Sequence, residues 1–118
     1  MSGEDVESFD TGLREGDLDP ARPAPLETPW GSFALYLVAG EVRAVQSFCP
    51  HLDGPLFQGT LSGETITCPW HQWRFSLVSG ARLDSGAELY GGRPRLRVCA
   101  VSRSARGTLL LARPRQRS

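Results

Sequence analysis

Residues 49–73 read CPHLDGPLFQGTLSGETITCPWHQW, and they contain both histidines of the chain and two of its three cysteines. Each histidine follows a cysteine at short range, in Cys49-Pro50-His51 and in Cys68-Pro69-Trp70-His71. The proline after each cysteine fixes a backbone φ angle and so stiffens the loop. Since thiolates and imidazoles are common metal ligands, two such pairs on two loops predict a metal site.

The order of the ligand types distinguishes between candidate metals. A zinc ion bound tetrahedrally by two cysteines and two histidines is chemically possible. Zinc modules usually place both cysteines on one arm and both histidines on the other, whereas each arm here carries one of each. This mixed order suits a two-iron cluster, while a zinc-stabilised binding module remains the alternative.

The rest of the chain has the pattern of short β-strands separated by turns. Apolar residues nowhere recur at helical spacing over three turns, which favours an all-β fold. Gly40 and Glu41 separate two apolar runs and predict a hairpin with a type II′ turn. The predicted strands cover residues 32–39, 42–48, 65–67, 73–77, 95–101 and 108–112. In the strand over 95–101, Leu96, Val98 and Ala100 are expected on one face, and Cys99 is expected to be a small hydrophobic residue of the sheet.

The chain divides by composition into three parts, with a single domain in the middle. Residues 1–29 hold eight acidic residues and four prolines and predict an extended N-terminal arm, with an edge strand near residues 24–27. Residues 30–112 form the predicted domain, and residues 113–118 form a basic C-terminal tail. Residues 93–118 carry eight arginines and no acidic residue. Most of these arginines alternate with apolar residues, which is typical of a solvated sheet face rather than of a nucleic-acid-binding surface.

The sequence also favours a location and excludes a membrane span. No stretch approaches 18 consecutive apolar residues, so we expect no membrane-spanning segment. The first ten residues are acidic and lack the basic and apolar regions of a secretory signal. We therefore expect a cytoplasmic protein whose thiols stay reduced.

The cysteine and histidine motifs resemble those of the Rieske iron–sulfur family. The family signature is C-x-H followed, after a gap of similar size, by C-x-x-H, and sixteen residues separate His51 from Cys68 here. The resemblance covers roughly residues 30–112 and implies an all-β fold of stacked small antiparallel sheets with two cluster-binding loops. It implies one [2Fe-2S] cluster, with Cys49 and Cys68 on the inner iron and His51 and His71 on the outer iron.

Three positions indicate which type of Rieske protein the chain resembles. The respiratory type has a disulfide between two further cysteines, at the positions of Gly54 and Trp70 here, and a serine at the position of Trp73. Both features are absent, so the resemblance is to the soluble Rieske ferredoxins. We expect a reduction potential at the low end of the Rieske range, roughly −150 mV.

The resemblance implies an electron carrier rather than an enzyme. The chain would take one electron from a flavin-dependent reductase and pass it to a terminal oxygenase. It has no histidine beyond His51 and His71, so it cannot also supply the histidines of an oxygenase's mononuclear iron site. A Rieske small subunit paired with the large subunit of an NADH nitrite reductase-like enzyme is the second interpretation. Neither nucleic acid nor a membrane is expected as a partner.

Residues beside the motifs are expected to support the cluster. The backbone N–H groups of Leu52, Gly54 and Trp73 are candidate donors to the sulfides. The segment from Gly91 to Pro94 resembles the family's proline-bearing loop, which shields the cluster, and the entry of an edge strand at Pro94 is the equal alternative. Asp53 and Gln72 are expected to be solvated loop residues. Pro55, Leu56, Trp70 and Trp73 are candidates for an apolar collar around the histidine tips that would suit weak docking. For Trp73, core filling on its strand is the favoured alternative.

Overall fold

The structure is a computed structural model that describes residues 7–50, 53–70, 72–84 and 94–114. Regular structure within those residues is limited to β-strands and two 3-10 turns, Glu15–Asp17 and Leu56–Gln58, which confirms the all-β prediction. No helix in this part of the chain has the length or apolar character needed to cross a bilayer. The strands are β1 (Ser8–Arg14), β2 (Ala24–Thr28), β3 (Gly31–Val38), β4 (Glu41–Gln46), β5 (Thr60–Ser62), β6 (Thr65–Thr67), β7 (Arg74–Ser76), β8 (Val98–Cys99), β9 (Val101–Arg103) and β10 (Thr108–Ala112).

The strands form three small antiparallel sheets. A central sheet has the order β2-β3-β4-β8, a terminal sheet has the order β1-β10-β9, and a loop sheet has the order β5-β6-β7. β3 is buried on both faces, which explains why its sequence is continuously apolar rather than alternating. Ala34 and Tyr36 point into one core, and Phe33 and Leu35 point into the other. β3 is therefore the wall between two hydrophobic cores.

The turn between β3 and β4 differs from the type II′ turn predicted at Gly40 and Glu41. Val38 pairs with Glu41, so the two turn residues are Ala39 and Gly40. Their φ angles are 52° and 80°, and positive φ at both positions defines a type I′ turn. The mirror-image turn matches the right-handed twist of the hairpin, and this match outweighs the cost of left-handed backbone at an alanine. The turn over Gly63 and Glu64 has its positive φ only at Gly63, as expected for a type II′ turn.

The single strand predicted over residues 95–101 is wrong, because the chain changes sheets at Ala100. Val98–Cys99 pairs with β4 of the central sheet, whereas Val101–Arg103 pairs with β10 of the terminal sheet. The carbonyl of Ala100 accepts the N–H of Ala112 at this crossing, and Ala100 itself is exposed. Cys99 is buried instead, as expected for a small hydrophobic residue, and burial raises the pKa of its thiol to about 12.

Much of the segment predicted as an N-terminal arm lies within the sheets. β1 pairs with β10, and β2 confirms the expected edge strand by pairing with β3. Alternate residues of β1 are half-buried, so this strand contributes side chains to the fold despite its acidic sequence. Arg113, at the start of the predicted tail, donates its N–H to the carbonyl of Glu7 at 3.0 Å. Residues 1–6 and 115–118 lie outside the described residues, and the division into arm, domain and tail stays a prediction.

Candidate metal centre

The first cysteine loop, residues 49–54, leaves the end of β4 and closes on itself. The N–H of Cys49 donates to the carbonyl of Gly54 at 2.7 Å, and the N–H of Asp53 donates back to the carbonyl of Cys49 at 3.0 Å. Asp53 has a φ of 55°, a left-handed conformation that aspartate tolerates better than most residues. These two bonds turn the chain back over the cysteine.

The second cysteine loop, residues 68–73, leaves the end of β6 and repeats the same closure. The N–H of Cys68 donates to the carbonyl of Trp73 at 2.8 Å, and the N–H of Gln72 donates to the carbonyl of Cys68 at 3.1 Å. Gln72 has a φ of 61°, at the position that corresponds to Asp53. The two loops therefore share the same pair of closing hydrogen bonds and a left-handed residue four positions after the cysteine.

The two cysteine loops meet across Gly54. A Cβ atom added at this glycine would lie 3.0 Å from Cδ2 of Trp70 and 3.2 Å from Sγ of Cys68. Glycine is therefore favoured by the close approach of the second loop and not by its own φ angle. Cys49 and Cys68 are both fully buried and belong to one hydrophobic core, between the central sheet and the loop sheet. The structure thus brings both predicted cysteines to the dry side of the paired loops.

The outer side of the loops carries exposed aromatic side chains. Trp70 is 57% exposed and Phe48, which precedes the first cysteine, is 43% exposed. Leu56 is fully buried in the core with the cysteines, so its predicted place in a surface collar is wrong. Trp73 packs against the same core while remaining partly accessible. The apolar surface of the described loop residues therefore lacks Leu56 and gains Phe48.

Gln46, three residues before Cys49, supports the first loop through its side-chain amide. Its side-chain Nε2 donates to the carbonyl of Phe48 at 2.7 Å, and its Oε1 accepts the N–H of Arg97 at 2.7 Å. The backbone N–H of Gln46 donates to the carbonyl of Arg97, which extends the pairing of β4 and β8. The peptide between Phe48 and Cys49 is therefore held at both ends, because the Cys49 N–H is bound by Gly54.

Arg82 and Asp84, which follow the second loop in the sequence, support it through the Trp73 ring. The Arg82 guanidinium lies over the Trp73 ring, and its Nε and Nη2 atoms each bind a different carboxylate oxygen of Asp84 at 2.8 Å. The hydrogen bond from Arg82 holds the pKa of the Asp84 carboxyl below its usual range. Gln46, Arg82 and Asp84 were not predicted from the sequence. Residues 82 and 84 lie two positions apart after the turn at Gly80, and this spacing, which places side chains on one face of an extended segment, was the available signal.

The histidine half of the predicted site lies outside the described residues. His51, Leu52 and His71 are among the residues that the structure leaves undescribed, as are Gly91, Gly92 and Arg93 of the predicted shielding loop. Within the described ranges no three His, Cys, Asp or Glu side chains converge. The ligand set of two cysteines and two histidines, and the sulfide donors at Gly54 and Trp73, remain predictions.

The described part of the site fits a soft metal group of low net charge. Two thiols lie fully buried in one apolar core, at the ends of matched loops that are in contact. Isolated buried thiolates would be costly in such surroundings, whereas ferric iron and sulfide would compensate their charge. No disulfide joins the three cysteines, all of which lie in the described residues.

A family model for the Rieske [2Fe-2S] domain matches residues 12–88. The chain belongs to this family. Its cofactor is therefore one Rieske-type [2Fe-2S] cluster, which decides between the iron cluster and the single zinc ion that the donor set alone left open. The match begins inside β1, in agreement with the contribution of the N-terminal strands to the fold.

Relatives of known function include both small and large proteins. The ferredoxin component of a naphthalene 1,2-dioxygenase system from Pseudomonas putida is 42% identical over 50 residues, which are 42% of this chain and 48% of that protein. The 4beta-methylsterol monooxygenase of Methylococcus capsulatus is 41% identical over 69 residues, 57% of this chain and 18% of that protein. The oxygenase component of a 3-ketosteroid-9-alpha-monooxygenase from Rhodococcus rhodochrous is 42% identical over 38 residues, 32% of this chain and 10% of that protein. The chain thus spans less than half the length of each of these relatives.

Solved structures confirm the fold of stacked small sheets. A chain in the complex of reduced oxygenase and oxidised ferredoxin of carbazole 1,9a-dioxygenase superposes with a TM-score of 0.74 at 24% identity, covering 89% of this chain and 92% of that one. The terminal oxygenase of carbazole 1,9a-dioxygenase from Novosphingobium sp. KA1 gives a TM-score of 0.76 at 23% identity, covering 94% of this chain and 31% of that one. At this level of identity the likeness establishes the fold.

Proposed function

We propose that the chain is an electron carrier that accepts one electron from a flavin-dependent reductase and delivers it to a terminal oxygenase. The observation that carries this proposal is the pair of matched cysteine loops in contact across Gly54, in a chain that belongs to the Rieske family. The ferredoxin relative from a dioxygenase system supports the choice of partners.

In this proposal the two loops supply all four ligands. Cys49 and Cys68 would hold the inner iron, and His51 and His71 would hold the outer iron. The cluster supplies reversible one-electron transfer, at a potential raised by its histidine ligands. Histidine ligands replace two thiolates with neutral groups, so the bound centre carries less negative charge and accepts an electron more readily.

In this proposal the described residues shape the cysteine site and exclude water from it. Leu56, Phe75 and Leu77 bury the cysteine side of the site, while Trp70 and Phe48 give the outer side an apolar surface. A small apolar surface of this kind suits weak and transient docking, as an electron carrier requires. The carrier performs no substrate chemistry in this scheme. We also place it in the cytoplasm, where its thiols would stay reduced.

The relatives that are oxygenase components or monooxygenases favour a second candidate, in which residues 1–118 are the Rieske part of a larger oxygenase system. They match over only 10% to 18% of their own length. Both histidines of this chain belong to the cysteine loops, so a mononuclear iron site would have to be supplied by another polypeptide or domain.

The proposal is tested with anaerobically purified protein. We expect a red-brown protein with two irons and two acid-labile sulfides, which a flavin-dependent reductase reduces with NADH by one electron. The reduced protein should then support turnover by a terminal oxygenase of the naphthalene type. A colourless protein with one zinc ion would contradict the cofactor. Efficient electron transfer to a nitrite reductase large subunit but not to an oxygenase would contradict the partner.

A further inference from the structure

Trp73 closes the second cysteine loop, and its side chain is held from outside the loop. The Cζ atom of Arg82 lies 3.6 Å from the centroid of the Trp73 ring. This distance is short for a cation–π contact, which is effective within about 6 Å. The indole also packs at a tilted angle beside Phe75, with ring centroids 6.4 Å apart.

Arg82 is itself fixed by a carboxylate that returns to the second loop. Asp84 binds Arg82 in a bidentate pair, and its Oδ1 also accepts the backbone N–H of Arg74 at 3.2 Å. The side chains of the pair are only 11% and 14% exposed, so water screens them less than it screens a surface pair. A planar guanidinium in a bidentate pair has little freedom to leave the ring.

The backbone completes this connection. Leu83 donates its N–H to the carbonyl of Arg74 at 2.7 Å, and Arg82 pairs with Phe75 in an antiparallel bridge. The residue before Arg74 is Trp73, whose carbonyl accepts the N–H of Cys68. Contacts therefore link Trp73 to Arg82, Arg82 to Asp84, and Asp84 to Arg74, which follows Trp73 in the chain. The Trp73 carbonyl joins this group to Cys68.

We propose that Arg82 is a positioning residue for the iron–sulfur site: by clamping the Trp73 ring it fixes the carbonyl that closes the second cysteine loop on Cys68. Arg82 touches neither cysteine in this scheme and acts only through Trp73. Because the role depends on the flat, bidentate guanidinium, a lysine at this position does not replace it. The proposal rests on the proposed cluster site, but its main test reads the backbone of the loop and not electron delivery.

Three variants separate geometry from charge. Arg82→Met removes both the stacking and the charge, Arg82→Lys keeps the charge, and Asp84→Asn keeps the shape of the partner while removing its negative charge. Arg103→Met is the matched control, since Arg103 is paired with Glu15 on the terminal sheet, away from the cysteine loops. If Arg82→Met does not fold, the other two variants still decide the question.

The main measurement is hydrogen exchange of the holoprotein, followed by mass spectrometry. In Arg82→Met and Arg82→Lys we expect exchange of a peptide covering residues 68–73 to rise about tenfold, with a smaller rise in Asp84→Asn. Exchange over residues 49–54 should stay within twofold of the parent protein. The electron paramagnetic resonance spectrum of the reduced protein should broaden in the same variants and not in Arg103→Met.

Several outcomes overturn the proposal. Wild-type exchange in Arg82→Lys together with faster exchange in Arg82→Met would show that charge and not geometry matters. Equal acceleration in both cysteine loops would show a general loss of stability. Unchanged exchange in all three variants would show that Trp73 does not need the clamp. Each of these results can be obtained whether or not the protein delivers electrons to an oxygenase.

Discussion

The two cysteine loops have the same backbone closure but opposite supports. The first closes on Gly54, which has no side chain, and is braced by the neutral amide of Gln46 ahead of the cysteine. The second closes on Trp73, a large side chain, and is braced by a charged pair that follows the loop. A local hydrogen-bond pattern therefore defines each loop, whereas neighbouring strands determine how it is held.

The difference follows from where each loop leaves its sheet. β4 ends beside the 94–97 segment, so an amide on Gln46 can reach both Arg97 and Phe48. β6 ends beside β7, whose hairpin partner presents Arg82 and Asp84 on one face. The loops also depend on each other, because the space left by Gly54 is filled by Trp70 of the second loop.

The largest expected effect is the loss of one cysteine ligand. Cys68→Ser should release the cluster and lower the melting temperature by roughly 10 °C or more, because cofactor binding energy is largely folding energy. Iron analysis and thermal unfolding check this. Cys99→Ala is the control and should retain both irons. An unchanged melting temperature in Cys68→Ser would show that the loops hold together without the cofactor.

The next effect concerns the contact between the loops. Gly54→Ala places a methyl group 3.0 Å from the Trp70 ring and 3.2 Å from Sγ of Cys68, so we expect a loss of about 1–3 kcal/mol. Gly16→Ala, where an added Cβ meets nothing within 4 Å, should change stability by less than about 0.5 kcal/mol. Urea unfolding of the holoproteins compares them. Equal stability of the two variants would mean that the loops do not touch as described.

The hydrogen bonds of the Gln46 side chain should contribute less to the free energy of unfolding. Gln46→Met keeps the length of the side chain but leaves the Arg97 N–H and the Phe48 carbonyl without the amide, at a cost of about 1–2 kcal/mol. Exchange of the Cys49 amide should rise, while the second loop stays protected. Gln58→Met, at an exposed position of the 3-10 turn, is the control. If both variants behave alike, the Gln46 brace does not support the loop.

The smallest effect distinguishes the two left-handed residues. Gln72→Gly removes the strain of a φ of 61°, which costs about 1–2 kcal/mol for most residues, against a glycine entropy cost of about 0.5–1 kcal/mol. A net stabilisation of about 0.5 kcal/mol is expected in urea unfolding. Asp53→Gly should gain less, because aspartate adopts this conformation more readily. A larger gain at Asp53 would reverse the order we expect for the two loops.

The parts of the fold that are local in sequence were predictable. Alternation and turn residues located the hairpins, and the strand over residues 108–112 was predicted with its observed bounds. The paired motifs also singled out the two cysteines that the structure buries in one core. β1 was missed because an acidic strand with few large apolar residues resembles an arm, and its pairing partner, β10, lies about 100 residues away.

The remaining features depend on contacts that no local pattern contains. The break at Ala100 arises because β4 and β10 belong to different sheets, which periodicity cannot indicate. The Gln46 side chain that bonds Phe48 is itself held by Arg97, 51 residues away in sequence. The residues next to Gln46 in the sequence give no sign of this contact. Leu56 follows a loop motif, yet the 3-10 turn directs it into the core. Such placements become visible only once the sheets are assembled.

The most direct test of the account is diffraction at the iron absorption edge from crystals of anaerobically prepared protein. The account predicts two anomalous peaks between the cysteine loops, one bonded to sulfur of Cys49 and Cys68 and the other to nitrogen of His51 and His71. A single metal peak bonded to all four side chains, or no iron signal between the loops, would contradict it.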